Sequence, residues 1–462
     1  MENILKHFNE KVISLTKNYL NNLIFSNGIS SYTDDLVSEF ATFGSDLTQY
    51  LIDLVEEEIF KINKEDKQFQ SLEKDERNIV SIFGNITYKR RYYYDKTSKE
   101  RVYLLDRVIG IKPNENLLPN VKERLIKEAT ESSYEHAGEV AAYGVKISKQ
   151  EVKNQIEKLD LDIDFYEKNE EPRKVETIYI IADEDHVHLQ KGGIEEPRII
   201  IVYDNILSKG KRIELKNKRH FGGVYKNRIM DLWDEVALYI ENTYDMDYVQ
   251  RIFIQGDGAS WIKTGKTWIN KSINILDTFH MCKAVNAIAG KNEKENKKRL
   301  YIALRCLNFE EFKEISYEIL SEEMDETRRI NKEKIMNYIL NNKEGISNLY
   351  KYRQYLHGCS AEGHVSHIFS DRMSSRPMGW KTQNVNNMSK LRLLKEDNIE
   401  IRTILEKQDK VIELDEYQEI KEKTKKRIHK NVDFKEVSLP IITFGNHEQR
   451  QLFKDILNGT AI

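Results

Sequence analysis

Three short stretches carry the chemistry this sequence could do. The apolar run Thr177–Ala182 leads directly into Asp183-Glu184-Asp185, and Arg251–Gln255 leads into Gly256-Asp257-Gly258. A strand that ends in an acid delivers its carboxylate to the edge of a sheet, where ligands and ions are held. Asp-Gly after a strand is also ordinary turn chemistry, but two such ends on neighbouring strands favour the chemical reading. In an extended segment Asp183 and Asp185 face one side while Glu184 and His186 face the other, so either Asp could be the ligand. A further acid, Glu362, stands in Ser360-Ala361-Glu362-Gly363-His364, at a helix start. Two Asp and one Glu converging on one point would hold two Mg²⁺ (or Mn²⁺) ions through oxygen. Two ions about 3.5–4 Å apart activate a water or a 3′-hydroxyl and stabilise the leaving oxygen of a phosphodiester. Cys282, Cys306 and Cys359 are far apart and join no His in a zinc spacing, so zinc is not expected.

The elements that must position these acids follow from periodicity. Strands are expected at Thr177–Ala182, Arg198–Tyr203, Lys211–Phe221, Arg251–Gln255 and Ser272–Leu276, the last ending at Asp277-Thr278-Phe279-His280, with an amphipathic helix over Asn227–Asn242. Three strands, a helix, a strand, a short helix and a strand is the order of a ribonuclease-H-like α/β core. Residues 281–355 read as an all-α insertion, after which 356–400 complete the core with the Glu362 helix, and 401–462 form a helical tail. Ahead of the core, residues up to about 80 read as helical, with a break near Gly44. Ile82–Tyr94 then interleaves basic and aromatic residues, which suits a phosphate backbone and equally suits a strand pair packed on a helix. Within 118–170, Ser132-Ser133 can cap a helix through Tyr143, Gly144 can turn, and Ser148 can cap Lys149–Leu159 with Glu151 three residues on. That is the outline of a helix-turn-helix, shared with plain helical hairpins. The domains so read are 1–117, 118–170 (ending in a linker from Glu167 to Arg173), 171–280, 281–355, 356–400 and 401–462.

Charge narrows the partners. With 73 Lys+Arg against 76 Asp+Glu in 462 residues, the chain is no polycation, so a nucleic-acid surface needs segregated charge. Between Asn205 and Arg228, eight Lys/Arg face Glu214 alone, and Arg372–Lys395 carries six Lys/Arg and no acid. The candidate DNA contacts are Lys211, Arg212, Lys216, Lys218 and Arg219 in the first block, and Arg372, Arg376, Trp380 and Lys381 in the second. Lys263 beside Asp257, and Lys149 and Lys153 on the second helix of the helix-turn-helix outline, complete the set. A charge run is otherwise a solvated face, and Trp261, Trp268 and Trp380 either stack on unpaired bases or pack a core. The apolar runs are too short to span a bilayer, the first residues lack a signal-peptide pattern, and the scattered Cys suit a reducing compartment. A soluble, cytoplasmic protein is expected.

The acid-bearing segments also carry a resemblance. Ile180–Gln190 is similar to the first catalytic strand of DDE transposases of the Mutator-like superfamily, and Gly256–Lys263 to their second Asp motif. Asp277-Thr278-Phe279-His280 resembles their short element ending in His. Ser360–His367, with Ser374-Ser375-Arg376-Pro377-Met378-Gly379-Trp380, resembles the ISLre-type insertion-sequence transposases. The likeness runs from Phe83-Gly84 to about Leu394. It implies a triad of Asp183, Asp257 and Glu362, spaced by 74 and 105 residues, with Asp185 as rival first ligand and Asp277, His280 and His364 nearby. It further implies a bacterial, nucleoid-associated enzyme that cuts element ends and joins them to target duplex DNA as a dimer or larger assembly. A structure-selective nuclease without strand transfer, or a non-catalytic DNA-binding regulator, are the alternatives.

Overall fold

A computed structural model describes residues 28–409 except 67, 163–170, 210–211, 291–292, 359 and 376–378, together with 10, 12–13 and 422–427. The chain is mixed α/β and forms two compact units, one drawn from 1–129, 133–152 and 409–462, the other from 130–132 and 153–408.

The first unit rests on a helix, Gly28–Asp66, and an antiparallel hairpin, Phe69–Ser81 with Gly84–Asp95. The helix runs through Gly44 without the expected break. A Cβ on Gly44 would lie 2.7 Å from the Phe83 ring, so glycine there admits the hairpin turn instead of ending the helix. Helical structure also stops at Asp66 rather than near residue 80, because the charged run Lys74–Arg77 belongs to a strand. Arg77 is buried against Asp106, which Arg90 also reaches and to which the Tyr88 hydroxyl donates at 3.1 Å. Arg91 pairs with Glu56 at 3.2 Å, and burial pushes that carboxyl up to about 7 despite its partner. Tyr88 and Tyr93 join Ile59, Ile79 and Ile86 in the core, so much of the interleaved Arg and Tyr of the hairpin is engaged in packing. Further on, Ser133 Oγ accepts from His136 N to cap Tyr134–Val140, and Ser148 Oγ accepts from Glu151 N at the start of Lys149–Glu157. The first of these helices ends at Val140, short of Tyr143.

The second unit is built on five strands: β1 (Thr177–Glu184), β2 (Arg198–Tyr203), β3 (Arg219–Gly223), β4 (Arg251–Gly256) and β5 (Ser272–Leu276). Their order is β3-β2-β1-β4-β5; β1, β4 and β5 are parallel, and β2 is antiparallel to both its neighbours. Ile178, Ile180 and Ala182 point to one face, where they meet α1 (Ile229–Thr243) and α2 (Ser260–Trp268) around the buried Trp233. On the other face Tyr179 stacks on Tyr203 at 5.1 Å and donates to the Tyr355 carbonyl. The third expected strand is in fact two. Arg212–Lys216 pairs with Asn205–Lys209 as a separate ribbon, Asn217 turns the chain at φ +52°, and only Arg219–Gly223 enters the sheet.

After β5 come α3 (Thr278–Ala289), α4 (Lys294–Arg305), α5 (Phe309–Ser321), α6 (Glu326–Asn341) and α7 (Lys343–Lys351). They enclose a core of Val285, Leu300, Phe312, Met336 and Ile346 that also takes Leu276 from β5. Next, α8 (Ala361–Val365) passes through a π-helical stretch, Ser366–Ser370, into Asp371–Met373, and α9 (Thr382–Glu396) lies against β3. Among the described residues no helix is long and apolar enough to cross a membrane.

Candidate active site

Because β1, β4 and β5 are parallel, their carboxyl ends open on one edge of the sheet, and each ends in an acid. Ile181 pairs with Gln255 and Gly256 with Leu276, which brings Asp183, Asp257 and Asp277 to one level of that edge. Asp183 is half-buried, its Oδ1 accepting from Glu184 N at 2.9 Å. Burial chiefly pushes its carboxyl up to about 6; His280 pulls it back, and the negative charges of Asp257 and Glu362 push the same way as burial. Glu362, exposed in the first turn of α8, therefore acts on the same carboxylate as Asp257.

Packing fixes the Asp257 turn. Asp257 Oδ1 accepts from Ala259 N at 2.8 Å, and Tyr338 of α6 donates to the Asp257 carbonyl. Gly258 has φ +84°, and a Cβ there would lie 2.2 Å from Oδ1 of the buried Asn342. Gly258→Ala should thus destabilise the chain by about 1–3 kcal/mol, read by urea unfolding; unchanged stability would mean that the turn is not clamped. On the next strand, the buried Asp277 accepts from Phe279 N to cap α3 and lies 3.1 Å from His280 Nδ1. That hydrogen bond raises the pKa of His280, with Asp277, Asp183 and Asp257 adding their charge.

The two rival aspartates part company. Asp185 is buried, accepting from His186 N at 2.8 Å and from Ser374 Oγ at 2.9 Å, whereas Asp183 shares its field with Asp257 and Glu362. Glu184 takes a bond from Trp261 Nε1, tying the end of β1 to α2. His364 lies on α8, two residues after Glu362. It faces His220 at 6.4 Å, which is held by Asp397 at 2.6 Å, and burial, then the charges of His220 and Lys218, push His364 down to about 4. Tyr338 and Asn342 carry no motif, and sequence reading missed them; Ser374 stands in the Ser374–Trp380 motif, but nothing there marked it as the partner of Asp185.

Three carboxylates, oxygen donors all, suit a hard divalent cation. Among the described residues no three His, Cys, Asp or Glu are yet gathered into a coordination sphere, so a cation would have to draw Asp183, Asp257 and Glu362 together.

An uncharacterised protein family, UPF0236, matches residues 27–410, a span that contains all of these acids. The chain belongs to the UPF0236 family. Similar proteins occur in Caldanaerobacter subterraneus subsp. tengcongensis, each bearing the UPF0236 name. One is 35% identical over 374 residues, covering 80% of this chain and 79% of its own. Another is 32% identical over 428 residues, covering 92% and 89%, and a third 31% over 442 residues, covering 91% and 89%.

In this UPF0236 protein the expected cationic contacts divide. Arg372 and Trp380 are buried, the guanidinium lying 5.0 Å over the indole, whose Nε1 donates to the Met373 carbonyl; neither presents a surface to DNA. Trp261 is likewise buried, and Trp268 Nε1 is bonded to Asp234. Arg219 lies 3.7 Å from Asp397, Lys218 3.4 Å from Glu396, and Lys216 2.5 Å from Glu214, while Lys263 donates to the Asn341 carbonyl. Lys149 and Lys381 are exposed, and Lys153 pairs with Glu157 at 3.3 Å. Lys211 and Arg376 lie outside the described residues, as does the side chain of Arg212.

Proposed function

We propose that this UPF0236 protein is a DDE transposase, cleaving the ends of an insertion sequence and joining them to target DNA with a pair of divalent cations. The observation that carries the reading is the meeting of Asp183 and Asp257 on adjacent parallel strand ends, with the charge of Glu362 acting on Asp183. The order β3-β2-β1-β4-β5, with only β2 antiparallel to its neighbours, supports a ribonuclease-H-like core, as does a helical insertion ahead of the Glu362 helix. A relative whose name joins eleven designations in one organism adds support, since one protein at many loci is what a self-mobilising gene leaves behind.

Bound at this edge, the cations would activate the attacking oxygen and stabilise the leaving one. The chain's own residues do the positioning. Asp183, Asp257 and Glu362 supply the negative charge that holds the cations, and the clamped Gly258 turn fixes where Asp257 stands. Asp277 orients His280 and favours its protonated form, which offsets part of the acids' mutual repulsion. Hydrolysis and joining are both in-line displacements, so holding the phosphodiester in register is the larger share of the task. Bringing two ends together calls for a dimer or larger assembly.

The test is a labelled duplex carrying the DNA that flanks this gene, incubated with Mg²⁺ or with EDTA. Metal-dependent nicks and joined products are expected. Cutting without joining would make the protein a nuclease, and binding without either would make it a regulator.

A further inference from the structure

We infer that an exposed apolar stripe on the Gly28–Asp66 helix, continued by Phe83, Val140 and Tyr143, is the surface by which two copies of this chain associate. The assignment rests on the transposase reading for why a second copy is needed, and on the first unit alone for where it docks. The helix is 39 residues long, about 58 Å, and the hairpin core takes Ile52 and Ile59 from its second half. Val37, Phe40, Gly44, Leu47 and Leu51 recur at alternating intervals of three and four, the spacing of a seam that fits another helix. Val37, Phe40 and Leu51 are 55, 51 and 51% exposed. Gly44 leaves a gap in the stripe that the hairpin fills. The Phe83 ring lies 2.7 Å from where a Cβ on Gly44 would stand, and Ser45 Oγ donates to the Phe83 carbonyl at 3.1 Å. Phe83 is itself 41% exposed, so its ring carries the seam across the gap. Tyr143 N donates to the Ile82 carbonyl at 3.1 Å, which places Tyr143 at the same turn, with the exposed Val140 three residues before it.

Single apolar side chains on a surface are ordinary, but six large ones along one helix face and its adjoining turn mark a contact surface. Charge selects the occupant. Of the five acids between Gly28 and Asp53, Asp35, Glu39, Asp46 and Asp53 stand at outer positions of the repeat, and Asp34 alone flanks the stripe. Two such helices therefore bring their apolar rows together without opposing most of their carboxylates. No Lys or Arg occurs from Gly28 to Phe60, so the same face repels a phosphate backbone. A basic partner helix would meet the acids and leave the stripe bare. A second copy meets the stripe with the matching spacing, and a two-fold pairing lays the same patch of each chain on the other. Aromatic side chains such as Phe40, Phe83 and Tyr143 are those enriched at the centre of such contacts.

Sedimentation equilibrium of the full chain without DNA, across a concentration series, tests this. The wild type should dimerise, and Phe40→Glu and Leu51→Glu should each raise the dissociation constant at least about tenfold. Met324→Glu, at an apolar residue 98% exposed between α5 and α6, should leave it unchanged. A Phe40→Glu/Leu51→Glu chain mixed with a Phe40→Lys/Leu51→Lys chain should form a heterodimer, because opposite charges then meet whether the two helices run parallel or antiparallel. Variants that had merely misfolded would not be restored in this way. A wild type that stays monomeric up to its solubility limit overturns the interface, and so does a dimer that the seam variants leave intact. If such a chain still joins the flanking duplex, the transposase reading stands without this interface. If the dimer depends on the seam but the duplex is neither cut nor joined, the interface stands and the transposase reading falls.

Discussion

Asp257→Asn and Glu362→Gln should each reduce metal-dependent cleavage and joining at least about a thousandfold, and Asp183→Asn should do the same. Each removes a full negative charge from the edge where the proposed cations would sit, while leaving a side chain of nearly the same shape. Asp185→Asn should behave differently. Its carboxylate is buried and already accepts from His186 N and Ser374 Oγ, so substitution loosens the link between the end of β1 and the segment after α8. The expected cost is about 1–2 kcal/mol of stability, with metal-dependent joining retained. Joining assays run beside denaturant unfolding of all four variants separate the outcomes. Retained joining in Asp183→Asn together with loss in Asp185→Asn would move the first ligand to Asp185. Retained joining in Asp257→Asn would remove the acidic edge from the mechanism.

What could be read from the sequence is what local chemistry announces. Ile178–Ala182, Ile199–Tyr203 and Ile252–Ile254 are apolar runs of strand length bounded by acids or turns, and they are the buried strands of the sheet. Ser133 and Ser148 cap helices because a hydroxyl ahead of a helix has free N–H groups to accept from, whatever lies elsewhere in the chain. The failures share a different cause, which is partners distant in sequence. Phe69–Ser81 looks like a charged helix until Asp106 and the carbonyls of Lys112 and Glu115 are seen to take Arg77. Gly44 looks like a helix breaker until Phe83 is placed against it. Arg372 and Trp380 look like a basic, aromatic surface, and only the fold stacks one on the other and buries both. At the acidic edge, the strand-borne Asp183 and Asp257 announce themselves, whereas Tyr338 and Asn342 enter from a helical insertion with no signal of its own.

Metal-free Asp183→Asn should be more stable than the wild type at neutral pH, and the difference should vanish in acid. Burial, with the charges of Asp257 and Glu362, raises the Asp183 carboxyl from 3.8 to about 6 in the folded chain, so its charged form is disfavoured there. Between pH 3.8 and about 6 the unfolded chain has released this proton while the folded chain retains it. Stability therefore falls as pH rises through that window, and above it the folded state carries the whole penalty. The shift corresponds to about 3 kcal/mol, and asparagine, which has no charge to desolvate, escapes it. In EDTA, the Tm of Asp183→Asn should exceed that of the wild type by several degrees at pH 7.5 and match it below pH 4. Mg²⁺ or Mn²⁺ should then raise the wild-type Tm at pH 7.5 and leave the variant nearly unmoved, because the cation binds the ionised carboxylate that burial penalises. A wild type as stable as Asp183→Asn across this range would mean that Asp183 is solvated and ordinary, and one that ignores both cations would deny the acidic edge a metal. A single strained carboxylate, unfavourable to folding and relieved by a cation, is the physical signature expected of an edge built for metal-dependent phosphodiester chemistry.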